Sequence, residues 1–224
     1  MTLKNYVAEF IGTFALVFIG AGAVLVNGLT NGAVSVVGIA LAHGLVLMTM
    51  IYSLAHISGA HFNPAVTIAM LANKRIELVK AVYYIISQLL GASVAGLLLL
   101  FLYPQASGEQ LYGFPAELGF GFGMLLEAVL TFFLILTIYG VAVNKQAPAG
   151  FFGLAIGAVL IYDIVMGGTQ TGAAMNPARA FGPALASGVW APQFIYWVGP
   201  IFGALIAGFV YEYLFLKEAK LGKK

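Results

Sequence analysis

The sequence predicts an all-α polytopic membrane protein, with six membrane-spanning helices and two shorter re-entrant half-helices arranged as an inverted 3+3 repeat. The first reason is composition, because 62% of the 224 residues are hydrophobic and 8% are charged, whereas charged residues make up about a quarter of a soluble domain. The second is the presence of six long apolar runs. The third is a duplicated segment: Gly59 to Val66 and Gly172 to Arg179 share Gly, Ala, Asn, Pro and Ala at matching positions, 113 residues apart.

The six apolar runs set the predicted topology, because each approaches the roughly 20 residues needed to cross a hydrocarbon core. They cover residues 6–27, 33–56, 79–103, 117–140, 150–168 and 193–216. We interpret the chain as one transmembrane domain, 1–224, whose first repeat covers about 1–105 and whose second covers about 115–224. Three spans in each repeat is an odd number, so the second repeat is inserted upside down relative to the first.

An Asn-Pro-Ala tripeptide lies in each copy of the duplicated segment, as Asn63, Pro64 and Ala65 and as Asn176, Pro177 and Ala178. Asn is a good N-cap and Pro is favoured at the first helical position, so each tripeptide predicts the start of a helix. These helices meet break signals about eleven residues later, at Lys74-Arg75 and at Ser187-Gly188. Neither is long enough to cross the bilayer, so each is expected to enter it and stop midway.

The loops before the two tripeptides, residues 57–62 and 170–175, are predicted to be non-helical. Such backbone is tolerated inside a membrane only where it is buried in protein or lines water. We therefore expect a row of carbonyl acceptors along an aqueous path, contributed by Gly59, Ala60, His61, Gly172, Ala173 and Ala174. At the midplane, the amides of Asn63 and Asn176 can donate hydrogen bonds, and the positive ends of both half-helices repel cations.

These features together resemble the aquaporin, or major intrinsic protein, family over essentially the whole chain, and in particular its archaeal-type, water-selective members. The resemblance rests on two Asn-Pro-Ala tripeptides at repeat-equivalent places, the second followed by Arg179. It implies an aquaporin-like six-helix barrel, a passive water channel that excludes protons and ions, no cofactor, no enzymatic activity and a homotetramer. The expected partners are water, glycerol or other small neutral solutes, and the lipid bilayer, with no nucleic acid.

Arg179 is expected to face an aqueous cavity, because an arginine at this depth costs at least about 2.5 kcal/mol in lipid. In the family, the arginine at this place belongs to a four-residue selectivity filter. The family spacing puts the other three positions on His43, Ile164 and Ala173. Strict water channels usually carry an aromatic residue at the first position and His at the second, so this chain departs from that pattern at both.

Two acids lie in predicted spans at repeat-equivalent positions, Glu9 and Glu127. An intramembrane acid indicates function by default, so a proton-coupled secondary transporter is an alternative. The resemblance implies instead that each accepts hydrogen bonds from a re-entrant loop and braces it, and the repeat equivalence favours this structural role. His61 is interpreted as pore-lining, because no second His or acid lies at ligand spacing, and no metal site is predicted.

Water is the expected principal permeant, because Ala180, Ala184, Tyr196 and Trp197 resemble the pattern of water-selective members. The small Ala173 and apolar Ile164 predict a somewhat wider filter that also passes glycerol or small neutral gases slowly. A glycerol facilitator is the alternative within the family.

The placement of basic residues predicts the orientation in the cell membrane. Nine of the ten lie at the N-terminus, after the second or fourth span, or at the C-terminus: Lys4, Lys74, Arg75, Lys80, Lys145, Lys217, Lys220, Lys223 and Lys224. With six spans these positions share one side, so both termini are expected in the cytoplasm. The acids Glu109, Glu117 and Asp163 are then expected to face outside.

Overall fold

The computed structural model describes residues 2–106, 119–191 and 193–216. Their helices, in chain order, are α1 (Leu3–Leu29), α2 (Ser35–Ser58), α3 (Pro64–Ala72), α4 (Leu78–Leu102), α5 (Phe120–Ile138), α6 (Phe152–Gly167), α7 (Pro177–Ser187) and α8 (Gln193–Val210). Short π-helical segments extend α5 over Tyr139–Val143 and α8 over Tyr211–Leu216. Glu109, Glu117 and the four lysines after residue 216 lie outside the described residues.

The helix lengths agree with the predicted fold class. Within the described ranges, five helices are long and apolar enough to cross a membrane: α1, α2, α4, α5 and α8, the last two with their π-helical extensions. The fifth predicted span, α6, has only 16 residues, or about 24 Å at 1.5 Å per residue. With nine and eleven residues, α3 and α7 are about 14 and 17 Å long, so they are half-helices.

Each repeat packs partly against itself and partly against the other. Within the repeats, α1 packs on α2 and α4, and α5 packs on α6 and α8. Between them, α2 crosses α6, whereas α3 packs on α8 and α7 packs on α4. Each half-helix is therefore held by a long helix of the opposite repeat, which interlocks the two halves around the site where the half-helices meet.

Glycines let the crossing helices touch through their backbones. Where α2 crosses α6, a Cβ atom added to Gly157 would lie 2.6 Å from the carbonyl oxygen of Gly44. Where α5 crosses α8, a Cβ atom on Gly203 would lie 1.9 Å from the carbonyl oxygen of Ala128. Such small-residue contacts are typical of membrane helix pairs, which pack without a hydrophobic driving force between them.

The outer surface is apolar and the interior holds the polar residues, as expected of a multi-pass membrane protein. Large apolar side chains such as Phe101, Phe122 and Phe202 are exposed on the long helices, while Glu9, Glu127 and Arg179 are buried. Asp163, on α6, is buried as well and only 2% exposed. A carboxylate on a lipid-facing surface is costly, which accounts for its burial inside the protein.

Candidate functional site

Two non-helical loops approach the centre of the molecule, between α2 and α3 and between α6 and α7. Their backbones match, with positive φ angles at equivalent residues: Gly59 (93°), Ala60 (53°) and Phe62 (49°), and Gly172 (83°), Ala173 (44°) and Met175 (50°). Left-handed conformations at residues with side chains cost roughly 1 kcal/mol or more each, so they persist only where the surroundings hold them. The first loop begins at Gly59, since residues 57 and 58 still belong to α2.

Glu9 holds the first loop from α1. Its Oε1 atom accepts hydrogen bonds from the Ser58 hydroxyl at 2.7 Å and the His61 amide at 3.0 Å. Its Oε2 atom accepts from the Phe62 amide at 2.7 Å and from Nε2 of Gln88 at 2.8 Å. Four donors therefore occupy both oxygens of a fully buried carboxylate, as a group that braces a loop requires.

Glu127 holds the second loop from α5 in the same way. Oε1 accepts from the Thr171 hydroxyl at 2.6 Å and the Ala174 amide at 2.9 Å, and Oε2 accepts from the Met175 amide at 2.7 Å. This geometry supports the bracing role inferred for both acids. The second brace has no counterpart of Gln88 among these contacts, because Pro200 occupies the equivalent position on α8.

A pair of tyrosines adds a second layer of support that the sequence analysis missed. The Tyr84 hydroxyl donates to the carbonyl oxygen of Ser58 at 2.7 Å, and the Tyr196 hydroxyl donates to the carbonyl oxygen of Thr171. The two tyrosines are 112 residues apart, and Ser58 and Thr171 are 113 apart. This near-identical spacing was the available signal, since it marks both pairs as repeat equivalents.

The two asparagines join the half-helices at their N-termini. Asn63 accepts the Ala65 amide at 2.8 Å and donates through Nδ2 to the carbonyl oxygen of Met175 at 2.8 Å. Asn176 accepts the Ala178 amide at 3.0 Å and donates through Nδ2 to the carbonyl oxygen of Phe62 at 2.9 Å. A carboxamide carries two N–H groups, so each Asn can hold the opposite loop and still donate to a molecule in the cavity that both residues line.

One cavity of about 600 Å³ follows these loops. We call the part near Arg75 and Phe152 its inner half and the part near His43 and Arg179 its outer half. The cavity is lined by five of the six residues predicted to contribute carbonyls: Gly59, Ala60, His61, Ala173 and Ala174. Gly172 is not among the lining residues, and the His61 ring is held by a contact of 3.1 Å between its Nδ1 and the Thr67 hydroxyl.

The outer half ends at a pair formed by His43 and Arg179. His43 Nδ1 lies 2.9 Å from the carbonyl oxygen of Ile39, and because a carbonyl only accepts, Nδ1 carries the proton. Nε2 is then the acceptor, and Nε and Nη2 of Arg179 lie 3.2 and 3.1 Å from it. This is the neutral tautomer of His43, with its lone pair committed to Arg179.

Three of the four predicted filter residues therefore come together. His43, Ala173 and Arg179 line the outer half of the cavity, whereas Ile164 does not line it and is 1% exposed. The donors in this part of the cavity come from Arg179, and the adjoining wall at Ala173 is a methyl group. A small neutral molecule with acceptor oxygens suits such a site, and a cation meets a fixed positive charge.

Comparison with protein families identifies the class of this architecture. The family model described as "Major intrinsic protein" matches residues 1–211. In the solved structures, the chain is similar to the X-ray structure of the aquaglyceroporin from Plasmodium falciparum. That match has a TM-score of 0.82 and 27% sequence identity, and covers 98% of this chain and 99% of that one.

Curated relatives match over nearly the same length. Aquaporin TIP4-4 of Zea mays is 43% identical, over 96% of this chain and 88% of that protein. Aquaporin-4 of Mus musculus is 41% identical, over 99% and 70%, and nodulin-26 of Glycine max is 40% identical, over 94% and 77%. The family match, the half-helices with the long apolar helices around them, and the paired Asn-Pro-Ala loops all agree. The chain therefore belongs to the major intrinsic protein family, whose members are membrane channels.

Proposed function

We propose that the protein is a passive water channel that excludes protons and ions, and that it passes glycerol or small neutral gases slowly. The observation that carries the proposal is the pair of asparagines, Asn63 and Asn176, which line one continuous cavity from opposite repeats. Their side chains are fixed by hydrogen bonds to the opposite loops. Fixed donors beside a row of loop carbonyls offer water a path that needs no titrating group.

Ion exclusion follows from three positive features on that path. The N-termini of α3 and α7 meet at the asparagines, and each contributes roughly half a positive charge. Arg179 adds a full charge in the outer half. No Asp or Glu is among the described residues that line the cavity, so a cation that loses hydration there gains no compensating partner. This also disfavours the proton-coupled transporter, which needs an acid on the path.

Water is the favoured permeant because the residues near Arg179 resemble those of water-selective members. Members that prefer glycerol carry Asp directly after this arginine, but here the next residue is Ala180, which is buried with Tyr196. Tyr196 supports the second loop through the Thr171 carbonyl. Trp197 supports α7, because it donates to Gln193 at 3.1 Å and Gln193 donates to the Ala180 carbonyl at 3.0 Å. A solute hydroxyl left without a partner in this filter costs about 1 to 3 kcal/mol, enough for a tenfold preference.

A glycerol facilitator is the second candidate, and one observation favours it. The similar solved structure from Plasmodium falciparum is titled an aquaglyceroporin, and Ala173 leaves one wall of the filter small and apolar. The two candidates differ in the ratio of glycerol to water permeability, so that ratio decides between them.

The test is stopped-flow light scattering on proteoliposomes, with water and glycerol measured in the same vesicles and normalised per channel. We expect water permeability well above that of empty vesicles, and glycerol permeability at least about tenfold lower than water permeability. Glycerol permeability equal to or above that of water would establish the facilitator instead. Solute uptake that appears only with an imposed proton gradient would establish a coupled transporter.

The proposed setting is the cell membrane, with both termini in the cytoplasm and the inner half of the cavity opening there. The described basic residues at that end support this orientation, including Arg75 at the cavity and Lys80 nearby. We propose a homotetramer on the family resemblance, and native mass spectrometry of the purified protein tests it. We also propose that residues 1–224 act as one transport domain built of the two repeats.

A further inference from the structure

Gly20 lies behind the filter, on the face of α1 that touches His43. A Cβ atom built on Gly20 would lie 2.4 Å from both Nε2 and Cδ2 of the imidazole and 2.9 Å from Cε1. Real Cβ atoms essentially never come within 3.0 Å of another atom in this way. The imidazole therefore occupies the space that any other residue at position 20 would need.

The ring has little freedom to give way elsewhere. Its Nδ1–H donates to the Ile39 carbonyl oxygen on the preceding turn of α2, at 2.9 Å. Its Nε2 accepts from Arg179 at 3.1 to 3.2 Å, and the whole residue is only 2% exposed. Pressure from α1 would thus move the imidazole toward Arg179 and into the cavity that both residues line.

The other repeat carries different residues at the positions equivalent to Gly20 and His43. Glu9 and Glu127 are 118 residues apart, so Gly20 corresponds to Ile138, and Ser58 and Thr171 are 113 apart, so His43 corresponds to Ile156. Both isoleucines line the inner half of the cavity. A glycine and a large polar ring at the outer half thus take the place of two similar aliphatic residues at the inner half.

We infer that Gly20 is a specificity-determining residue of the channel, acting as a positioning residue that sets how far the His43 ring projects into the filter. This inference rests on the proposed channel function. Gly20 does not line the cavity, so it meets no permeant and acts only through His43. Filter width is then determined by a residue of α1 as well as by His43, Ala173 and Arg179, which line the path.

The test compares Gly20→Ala with Gly22→Ala in proteoliposomes, using water, urea and glycerol as a series of increasing size. Gly22 is a matched control on the same helix, because an added Cβ atom there meets only Cδ2 of Leu99, at 3.4 Å. Pore diameter limits the largest solute that the channel admits. We therefore expect Gly20→Ala to lower the permeability of that solute, relative to the permeability of water, by about threefold or more. If water alone passes, water permeability itself falls by about the same factor. Gly22→Ala leaves the series unchanged.

A double variant separates positioning from a general structural effect. In a His43→Ala background the ring is absent, so adding Gly20→Ala should change nothing, whereas damage to α1 would persist. If the single variant Gly20→Ala does not fold, the double variant Gly20→Ala/His43→Ala decides. The inference is supported if the double variant folds and its solute permeabilities equal those of His43→Ala. It is overturned if the double variant does not fold. An unchanged solute series in Gly20→Ala also overturns it. If the unmodified protein passes neither water nor solutes, the proposed function fails instead, which is a distinct result.

Discussion

The outer and inner halves of the cavity share one backbone but carry different side chains. The loops at Gly59 and Gly172 adopt the same left-handed angles, are braced by Glu9 and Glu127, and end in capping asparagines that bond across to each other's loops. Repeat symmetry therefore governs the parts that hold the path open. The side chains that line the two halves, in contrast, differ at individual positions.

The differences lie at the residues that a permeant meets. Arg179 in the outer half corresponds to Val66 in the inner half, 113 residues earlier, and His43 corresponds to Ile156. All four line the cavity. One half therefore presents a charge and a polar ring, and the other presents aliphatic walls. The two halves therefore share their supporting contacts and differ in the side chains that line the path, as expected if the proposed selectivity is concentrated in the outer half.

The largest expected effect is on the shared braces. Glu9→Gln and Glu127→Gln each replace one acceptor oxygen with an amide group that faces backbone N–H donors. Hydrogen bonds to charged groups are worth about 1.5 to 3 kcal/mol each, so either change should lower the free energy of unfolding by about 3 kcal/mol or more. The measurement is the apparent melting temperature in detergent.

Thr49→Val is the control for the braces, because this hydroxyl bonds only within α2, on an exposed face. It should leave the melting temperature nearly unchanged. Similar losses from the two Glu variants would confirm that the braces are equivalent. A normal melting temperature for either one would show that its loop is held by something else.

The second effect is on ion exclusion. Arg179→Val makes the outer half resemble the inner half at this position, so a fixed charge is lost where a passing ion is poorly hydrated. We expect proton and cation leak into proteoliposomes to rise by about tenfold or more, with water permeability retained. Val66→Ala, at the mirror position, is the control and should leave the leak unchanged. An equal leak in folded Arg179→Val and unmodified channels would contradict the role of Arg179.

The third effect is inhibition by mercurials. The chain contains no cysteine, so the unmodified protein is expected to be insensitive to them. Ala60→Cys and Ala173→Cys place one thiol in each half at equivalent lining positions, and both sites already hold a side chain at positive φ. A bound mercurial narrows the path, so we expect loss of roughly three-quarters of the water flux in each variant. Recovery with excess thiol is the check on specificity.

The same pair tests orientation when the mercurial cannot cross the membrane. Added to the outside of intact cells, it should block Ala173→Cys and spare Ala60→Cys. Block of Ala60→Cys alone would invert the proposed topology. Inhibition of the unmodified, cysteine-free protein would show that the reagent acts elsewhere.

Sequence reasoning predicted the features that repeat, because repetition is visible without a structure. The Asn-Pro-Ala loops, the two half-helices and the paired acids were all found by spacing. It did not find a contact that depends on how helix faces meet, the fit of Gly20 to His43, or the burial of Asp163 inside the protein. Hydropathy identifies that a segment crosses the membrane, but the side on which each residue lies depends on how α1, α2 and α6 pack.

The smallest effect concerns a surface ion pair at the inner mouth. Nε and Nη2 of Arg75 lie 2.8 and 2.5 Å from Oε2 of Glu212, tying the loop after α3 to the end of α8. These side chains are 32% and 16% exposed, and such pairs contribute about 1 kcal/mol or less. Glu212→Gln should therefore lower the melting temperature by only a few degrees and change water permeability less than about twofold.

Added salt should screen the pair, so the difference in melting temperature between Glu212→Gln and the unmodified protein should shrink as the salt concentration rises. Glu77→Gln, at a nearby exposed acid, is the control. A loss from Glu212→Gln as large as that from Glu9→Gln would mean that the inner mouth depends on its surface pair as strongly as the loops depend on their buried acids.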